Sequence, residues 1–458
     1  MSQQSLEALL QKTSPVKLLR NSQLGAHVYP GVQPEYTNWR DEQRAWQQTC
    51  VLFNQSYHMT DMYLEGPDAL KLLSDLGTNT FKGFGPNKAK QYAPVNHEGF
   101  VIGDVILFGL DDGRYNLVGR PAVHNWVQYN AETQGYNVKC TRDERAADQK
   151  GPITRLAYRY QIQGPNAMKL MQKVVEGTVP DLKFFNMTTL KIGGKKVNAL
   201  RHGMAGQPGF ELFGPWAEGP EIMDAFVKAG TEFGLHLVGG KAYSSNTLES
   251  GWIPSPMPAI YTSPKMKAYR EWLPDTTWEA KASLGGSFFS ENIEDYYLTP
   301  YDLGYGTMVR FDHDFVGREA LEKIAAAPKR TKVTLALDDK EVMDKVFGSL
   351  FGKGERTKFW DFPSAVYSTW PYDKVTKNGK TIGVSTWVGY SSNEGKMLTL
   401  AILDNEFAQP GEQVTFVWGE QAGTGSKPNV EPHKQVEINA IVSPVPYSEV
   451  AREAYRPK

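Results

Sequence analysis

Met62-Tyr63-Leu64-Glu65-Gly66-Pro67-Asp68-Ala69-Leu70-Lys71-Leu72 and Tyr160-Gln161-Ile162-Gln163-Gly164-Pro165-Asn166-Ala167-Met168-Lys169-Leu170 carry one pattern twice. In each, alternating residues predict a strand, Gly-Pro a turn, and the following residues an amphipathic helix. Proline's fixed φ and missing N–H suit the first helical turn. Phe210-Glu211-Leu212-Phe213-Gly214-Pro215, followed by 221–228, is a weaker third passage. The copies are too short and too far apart for a solenoid, so they predict a duplicated α+β body. Coincidence is the competing reading, because Gly-Pro before a helix is common.

Outward from these copies, Ser5–Lys12 reads as a short helix with Leu6, Leu9 and Leu10 on one face. Gln91–Val95 and Val101–Phe108 read as strands joined by Asn96-His97-Glu98-Gly99. Further strands are expected at Arg114–Val118, Leu156–Gln163 and Lys195–His202. Trp252–Tyr261, with Pro254, Pro256 and Pro258, and the Gly- and Phe-containing stretch Ser283–Asn292 are long and irregular, as functional or covering segments are. A helix at Arg318–Ala326 ends in Ala327-Pro328-Lys329-Arg330, which marks a boundary. Beyond it lie only strands: Lys332–Leu337, Lys380–Val388, Met397–Leu403, Gln413–Trp418 and Val436–Val442. The expectation is an α+β body over residues 1–328, built of two intertwined subdomains, and a β-rich, barrel-like domain over 329–458.

Composition excludes several classes. In 458 residues, Lys plus Arg is 50 against 51 for Asp plus Glu, a net charge of −1. That balance gives no field for nucleic acid or an anionic membrane. Apolar runs such as Val105–Phe108 fall far short of the ~18–20 residues that span a bilayer. No signal peptide is visible, and Cys50 and Cys140 cannot form a disulfide framework, so a cytoplasmic setting is expected. Walker A, His-Glu-x-x-His, Cys-x-x-Cys and Gly-x-Ser-x-Gly motifs are missing, and the eight histidines lack metal-ligand spacing; no metal is expected. Gly352-Lys353-Gly354 lacks the context of a dinucleotide fingerprint. Aromatics at 12% suit either a pocket for a flat ligand or an ordinary core. The near-neutral charge permits a homodimer.

Polar residues set among aromatic ones hold the remaining signal. Leu248-Glu249-Ser250-Gly251, Gly209-Phe210-Glu211, Gln91-Tyr92 with Gly99-Phe100-Val101-Ile102-Gly103-Asp104, and Asp314-Phe315-Val316-Gly317-Arg318-Glu319-Ala320-Leu321 resemble the glycine-cleavage T-protein (aminomethyltransferase) superfamily over nearly the whole chain. A narrower branch fits better. The stretches 21–30, Asn38-Trp39-Arg40, Arg201-His202-Gly203-Met204-Ala205-Gly206, 245–256 and Ser443-Pro444-Val445-Pro446-Tyr447 resemble the tetrahydrofolate-dependent aromatic O-demethylases, which act on vanillate, 3-O-methylgallate and similar lignin-derived methoxybenzoates. The resemblance implies a T-protein-like folate-binding body and tetrahydrofolate as methyl acceptor, with a small aromatic methoxy acid as substrate.

The chemistry of that class asks for particular side chains. An aryl methyl ether is inert unless its oxygen receives a proton or hydrogen bond as the methyl group leaves. Tyrosine, with a pKa near ~10, can donate while staying neutral at pH 7. By resemblance, Tyr29 and Tyr243 face the methoxy group, Arg120 clamps the substrate carboxylate, and Gln55 and His58 lie near the ring. Glu211 matches the pterin-binding carboxylate, able to accept from the 2-amino group and N3–H. Tyr92 and Trp252 are further cofactor-side residues. Asp104 joins them, although aminomethyltransferases carry Asp-Asp where this chain has Gly103-Asp104. The alternatives are a folate enzyme with an aliphatic donor, T-protein itself included, and a non-enzymatic folate-binding accessory protein.

Overall fold

A computed structural model of the chain describes residues 4–25, 29–254, 256–425 and 427–454. Residues 26–28 and 255, which fall in two of the motifs above, lie outside the described residues.

The two copies of the repeat fold alike and enter different sheets. Thr60–Glu65 leads into helix Ala69–Leu76, and Ala157–Gln163 into helix Ala167–Val174. Gly66 and Gly164 take φ of +135° and +124°, and a Cβ at either would strike backbone of a neighbouring segment within 2.7 Å. Only glycine suits both the left-handed turn and that approach. The first strand belongs to a five-stranded sheet ordered Lys88–Tyr92, Val105–Gly109, Tyr115–Gly119, Thr60–Glu65, Lys139–Asp143. The second belongs to a six-stranded sheet ordered Leu235–Val238, Cys50–Asn54, Ala157–Gln163, Gly209–Pro215, Lys195–Arg201, Met187–Ile192. The chain crosses from one sheet to the other through residues 55–59, between Cys50–Asn54 and Thr60–Glu65.

Period-two alternation decides which face each strand buries. On the six-stranded sheet, Tyr158, Tyr160, Ile162, Phe210 and Leu212 pack under helices Ala167–Val174 and Gly219–Gly230, with Leu170, Met171, Ile222 and Phe226. The opposite face carries Arg159, Gln161, Gln163 and Glu211, all buried. It meets the five-stranded sheet where the rings of Phe213 and Phe108 come within 5.5 Å, edge to face. The polar alternation, which reads as a half-solvated strand, is therefore the lining between two sheets.

The proline- and aromatic-rich stretches form neither solvated loops nor regular sheet. Ile253, Met257, Ile260, Tyr261, Tyr296 and Tyr297 are buried in the largest core, over the five-stranded sheet. The hairpin expected around residues 96–99 exists, although its ladder joins Lys88–Tyr92 to Val105–Gly109 with only a Val95–Val101 bridge nearer the turn. The C-terminal strands close a six-stranded barrel: Arg330–Leu337, Lys396–Asp404, Lys380–Ser391, Asp373–Lys377, Gln413–Trp418, Val436–Ser443.

Candidate functional site

Five of the expected residues meet where four segments converge. The crossing loop supplies Gln55 and His58, helix Gly240–Ser250 supplies Tyr243, and the end of strand Tyr115–Gly119 runs into Arg120. Tyr29 comes from the N-terminal segment and packs against Gly240, where a Cβ would lie 3.2 Å from its ring. The helix start is set by Glu42: Oε2 accepts from Gly239 N at 2.8 Å, and Oε1 accepts from the amides of Tyr36 and Thr37.

The rings of Tyr29, His58 and Tyr243 form a closed triangle, with centroids 5.0–5.1 Å apart and every pair edge to face. Gln55 Nε2 donates to Tyr243 Oη at 3.1 Å, and His58 Nε2 lies 3.1 Å from the same oxygen. His58 Nδ1 and Gln55 Oε1 are buried without a partner among the described residues. Buried polar atoms are rarely left so, which marks the triangle as a place for a polar ligand.

Electrostatics sharpen that reading. Burial pushes Tyr29 up to about 12 against a smaller opposing pull from Arg120, and burial raises Tyr243 further. Both phenols are protonated at neutral pH. Burial, followed by the charges of Arg120, Arg155, Arg145 and Arg159, holds His58 well below the usual histidine range, so the ring is neutral. Arg120 itself drops to about 10, first through desolvation and then through repulsion from Arg145. No carboxylate lies within ion-pair distance of Arg120 among the described residues, whereas Arg145 is paired with Asp148 at 2.6 Å. A desolvated guanidinium facing two phenols and lacking a counter-ion suits an incoming carboxylate. Its carbonyl is fixed by the His124 ring, with Nδ1 at 2.9 Å.

Glu211 adjoins this group closely enough for its charge to raise Tyr243. Burial favours its neutral form, but the Arg159 guanidinium and His202 together outweigh burial and hold its carboxyl below the usual range. Arg159 Nη1 donates to Glu211 Oε1, while Oε2 is 3.6 Å from His202 Nδ1, too long for a hydrogen bond. Behind it runs a buried row of ion pairs: Asp61 takes Arg159 on Oδ1 at 2.7 Å and Arg155 on Oδ2 at 2.9 Å, and Arg155 also pairs with Asp143 at 2.9 Å. Asp61, Asp143, Arg155 and Arg159 are not among the residues expected from sequence. Asp61, Asp143 and Arg159 are signalled only as polar residues on strands, which read equally well as a solvated face, and Arg155 lies just before strand Ala157–Gln163.

Asp104 and Trp252 form a separate group. Asp104 Oδ2 accepts from Tyr305 Oη at 2.6 Å, Gln91 Nε2 at 2.7 Å and the Trp252 indole at 2.9 Å. Oδ1 is buried without a partner among the described residues, and burial raises the carboxyl despite those three donors. Trp252 is 41% exposed, so it lines an open wall rather than filling a core. Tyr92 falls elsewhere. It is fully buried, and its hydroxyl donates to Leu73 O at 3.0 Å, which leaves nothing to offer a cofactor. Among the described residues no cluster of His, Cys, Asp and Glu could hold a metal ion, and no helix is long and apolar enough to cross a membrane.

Residues 23–255 match the GCVT N-terminal domain. Syringate O-demethylase of Sphingobium sp. strain SYK-6 is 57% identical over 440 residues, covering 96% of this chain and 95% of that protein. Sesamin methylene transferase of Sinomonas sp. strain No.22 is 27% identical, over 86% of this chain and 85% of its own. The glycine cleavage system aminomethyltransferase T of Bartonella henselae shares the fold, with a TM-score of 0.61 at 17% identity and 96% of each chain covered.

Proposed function

The chain belongs to the family defined by the GCVT N-terminal domain, and from that premise we propose that it is a tetrahydrofolate-dependent O-demethylase. It transfers the methyl group of a methoxybenzoate to tetrahydrofolate, leaving 5-methyltetrahydrofolate and a phenol. Syringate, the substrate named for the 57% identical relative, is the first candidate, ahead of vanillate and 3-O-methylgallate. The observation that carries this reading is Arg120, a guanidinium without a counter-ion beside two protonated phenols.

Tetrahydrofolate, when bound, supplies N5 as the methyl acceptor. A pterin ring is rich in N–H donors, and this chain retains acceptors for them: Asp104 Oδ1 and Gln55 Oε1, buried without a partner among the described residues, and Glu211 Oε2, whose neighbour His202 Nδ1 stands off at 3.6 Å. Those residues fit the group. Glu211 would take the 2-amino group and N3–H, with Asp104 and Trp252 on the same ligand.

The donor pocket does the rest. Arg120 grips the substrate carboxylate and fixes the ring's orientation, so that the ether oxygen meets the tyrosines. Tyr243, its oxygen already accepting from Gln55, donates a hydrogen bond to the departing aryl oxygen, where negative charge builds, and the proton that the phenol product keeps would be balanced by the one released when N5 is methylated. Tyr29 is the second donor on the same oxygen or its neighbour. His58, neutral and bonded to Tyr243, sets the direction of that hydrogen.

Incubation with tetrahydrofolate and a panel of syringate, vanillate, 3-O-methylgallate and their carboxyl-free analogues tests the reading. Formation of free phenols together with 5-methyltetrahydrofolate is the expected result. No product from any methoxybenzoate would remove the proposal.

A further inference from the structure

Arg159 is buried and held at both ends of its guanidinium, and the chemistry above leaves it without a task. Its guanidinium lies over the edge-to-face pair of Phe108 and Phe213, 5.0 and 4.9 Å from their centroids. One end is anchored on Asp61 Oδ1 at 2.7 Å, and the other donates to Glu211 Oε1. Its main chain is tied to the donor pocket: Gln55 N donates to Arg159 O at 2.9 Å, and Arg159 N donates to Ser56 Oγ at 2.9 Å. Strand pairing sets Glu211 opposite Gln161, so Arg159 reaches it along the diagonal of the ladder.

We propose that Arg159 is a positioning residue of the folate site: packed over Phe108 and Phe213 and anchored on Asp61, it occupies Glu211 Oε1 and fixes the carboxylate so that Oε2 is left for the pterin's N–H donors. This rests on the reading of Glu211 as the pterin carboxylate. A buried carboxylate without a cation takes up a proton more readily, and a protonated acid cannot accept from two donors at once. Charged or titratable groups face Glu211 from every side: Arg159 on the neighbouring strand, His202 after strand Lys195–Arg201, Tyr243 on helix Gly240–Ser250, and Asp61 behind Arg159. With Arg159 removed, His202 is the one ion-pair partner left within reach of the carboxylate among the described residues.

The test is calorimetric titration of the intact protein with 5-formyltetrahydrofolate, a reduced folate that needs no turnover, between about pH 6 and 9. Wild type should bind with an affinity nearly independent of pH. Arg159→Met should bind about tenfold or more weakly at the acid end and recover part of that loss as pH rises and Glu211 ionises. Arg159→Lys keeps the charge but not the planar fork, so it should bind more weakly with little pH slope. Wild-type affinity in Arg159→Met, or an equal, pH-independent loss in both variants, would overturn the proposal. Should Arg159→Met not fold, Asp61→Asn removes the anchor, and unchanged affinity there overturns it as well. Glu211→Gln separates the two ideas. If it binds folate normally, the pterin assignment of Glu211 fails; if it binds weakly while Arg159→Met does not, only the role of Arg159 fails.

Discussion

His58 Nε2 and Tyr243 Oη lie 3.1 Å apart, and Gln55 Nε2 donates to the same oxygen. When the imidazole carries its proton on Nε2, both contacts are donors to the phenol oxygen. The phenol's own hydrogen is then left for a ligand. When the proton is on Nδ1, Nε2 takes that hydrogen and Tyr243 has none to give. The tautomer of one buried histidine thus decides whether the tyrosine can act as a donor.

Tyr243→Phe should lower kcat by about 10²–10⁴-fold with 5-formyltetrahydrofolate affinity unchanged, because the hydroxyl acts chiefly in the transition state while the ring still packs. Tyr29→Phe identifies the acid: if only one variant is impaired, that residue donates and the other positions. Substrates with better leaving groups, such as ring-chlorinated methoxybenzoates, should suffer less. Wild-type rates in both variants would show that the proton comes from elsewhere.

The pH profile follows from the same group. With Tyr29 raised to about 12 and Tyr243 raised further, neither phenol ionises near neutrality, so kcat should not fall between about pH 6.5 and 9 through loss of the acid. Stability has its own slope. His58 titrates below its unfolded value of 6.5, so the unfolded chain binds the extra proton as pH falls. Its contribution is complete above pH 6.5 and is lost progressively in more acid solution. Urea denaturation of wild type and His58→Gln at pH 7 and 5.5 measures it, and the variant should lose less stability on acidification. Equal slopes would mean that the imidazole is charged in the folded protein.

Much of the fold was legible because apolar periodicity and turn chemistry agree. Helix Arg318–Ala326 and strand Gln413–Trp418 end where the sequence places them, and both Gly-Pro turns mark real strand-to-helix joints. What escaped notice are elements whose buried faces are polar. Helix Trp39–Gln48 hides Glu42 and Gln43 along with Trp39, Ala45 and Trp46, so its apolar stripe is broken. The site shows the same division. Tyr29, Gln55, His58, Arg120 and Tyr243 converge as motif resemblance led one to expect. Asp61, Arg155 and Arg159 did not announce themselves, since an alternating Arg or Asp is ordinarily a solvated strand residue. Tyr92, placed by motif beside the cofactor, instead fills the core.

Glu249, in the Leu-Glu-Ser-Gly motif, has structural work that no local pattern reveals. It is fully buried and accepts from the Trp46 indole at 2.8 Å, Gln47 at 3.1 Å, Ser391 at 2.7 Å and Asn393 at 3.0 Å. These donors come from helix Trp39–Gln48 and from the barrel turn, so one carboxylate joins the body to the barrel beside the helix of Tyr243. Glu249→Ala leaves several donors unmet at ~1–3 kcal/mol each and should destabilise the protein by about 3 kcal/mol or more. Glu249→Gln keeps the shape and one acceptor and should cost clearly less. Urea denaturation checks both, and a loss under about 1 kcal/mol for the alanine variant would show that water replaces the contacts.

Arg120→Ala separates recognition of the carboxylate from the chemistry. The guanidinium has no counter-ion to leave stranded, so its removal relieves repulsion with Arg145 and should leave the fold intact. Charge-assisted hydrogen bonds are worth ~1.5–3 kcal/mol, so binding of syringate or vanillate should weaken about ten- to a hundredfold. Methoxyphenols that lack the carboxyl group make no such contact, and their weaker turnover should change little. Arg120→Lys keeps the charge without the planar fork, so it should recover only part of the loss. The measurement is kcat/KM for each substrate pair at saturating tetrahydrofolate. A selective rise in KM for the carboxylated member assigns Arg120 to the clamp. An equal loss for both members would place it instead in the support of Tyr29 and Tyr243.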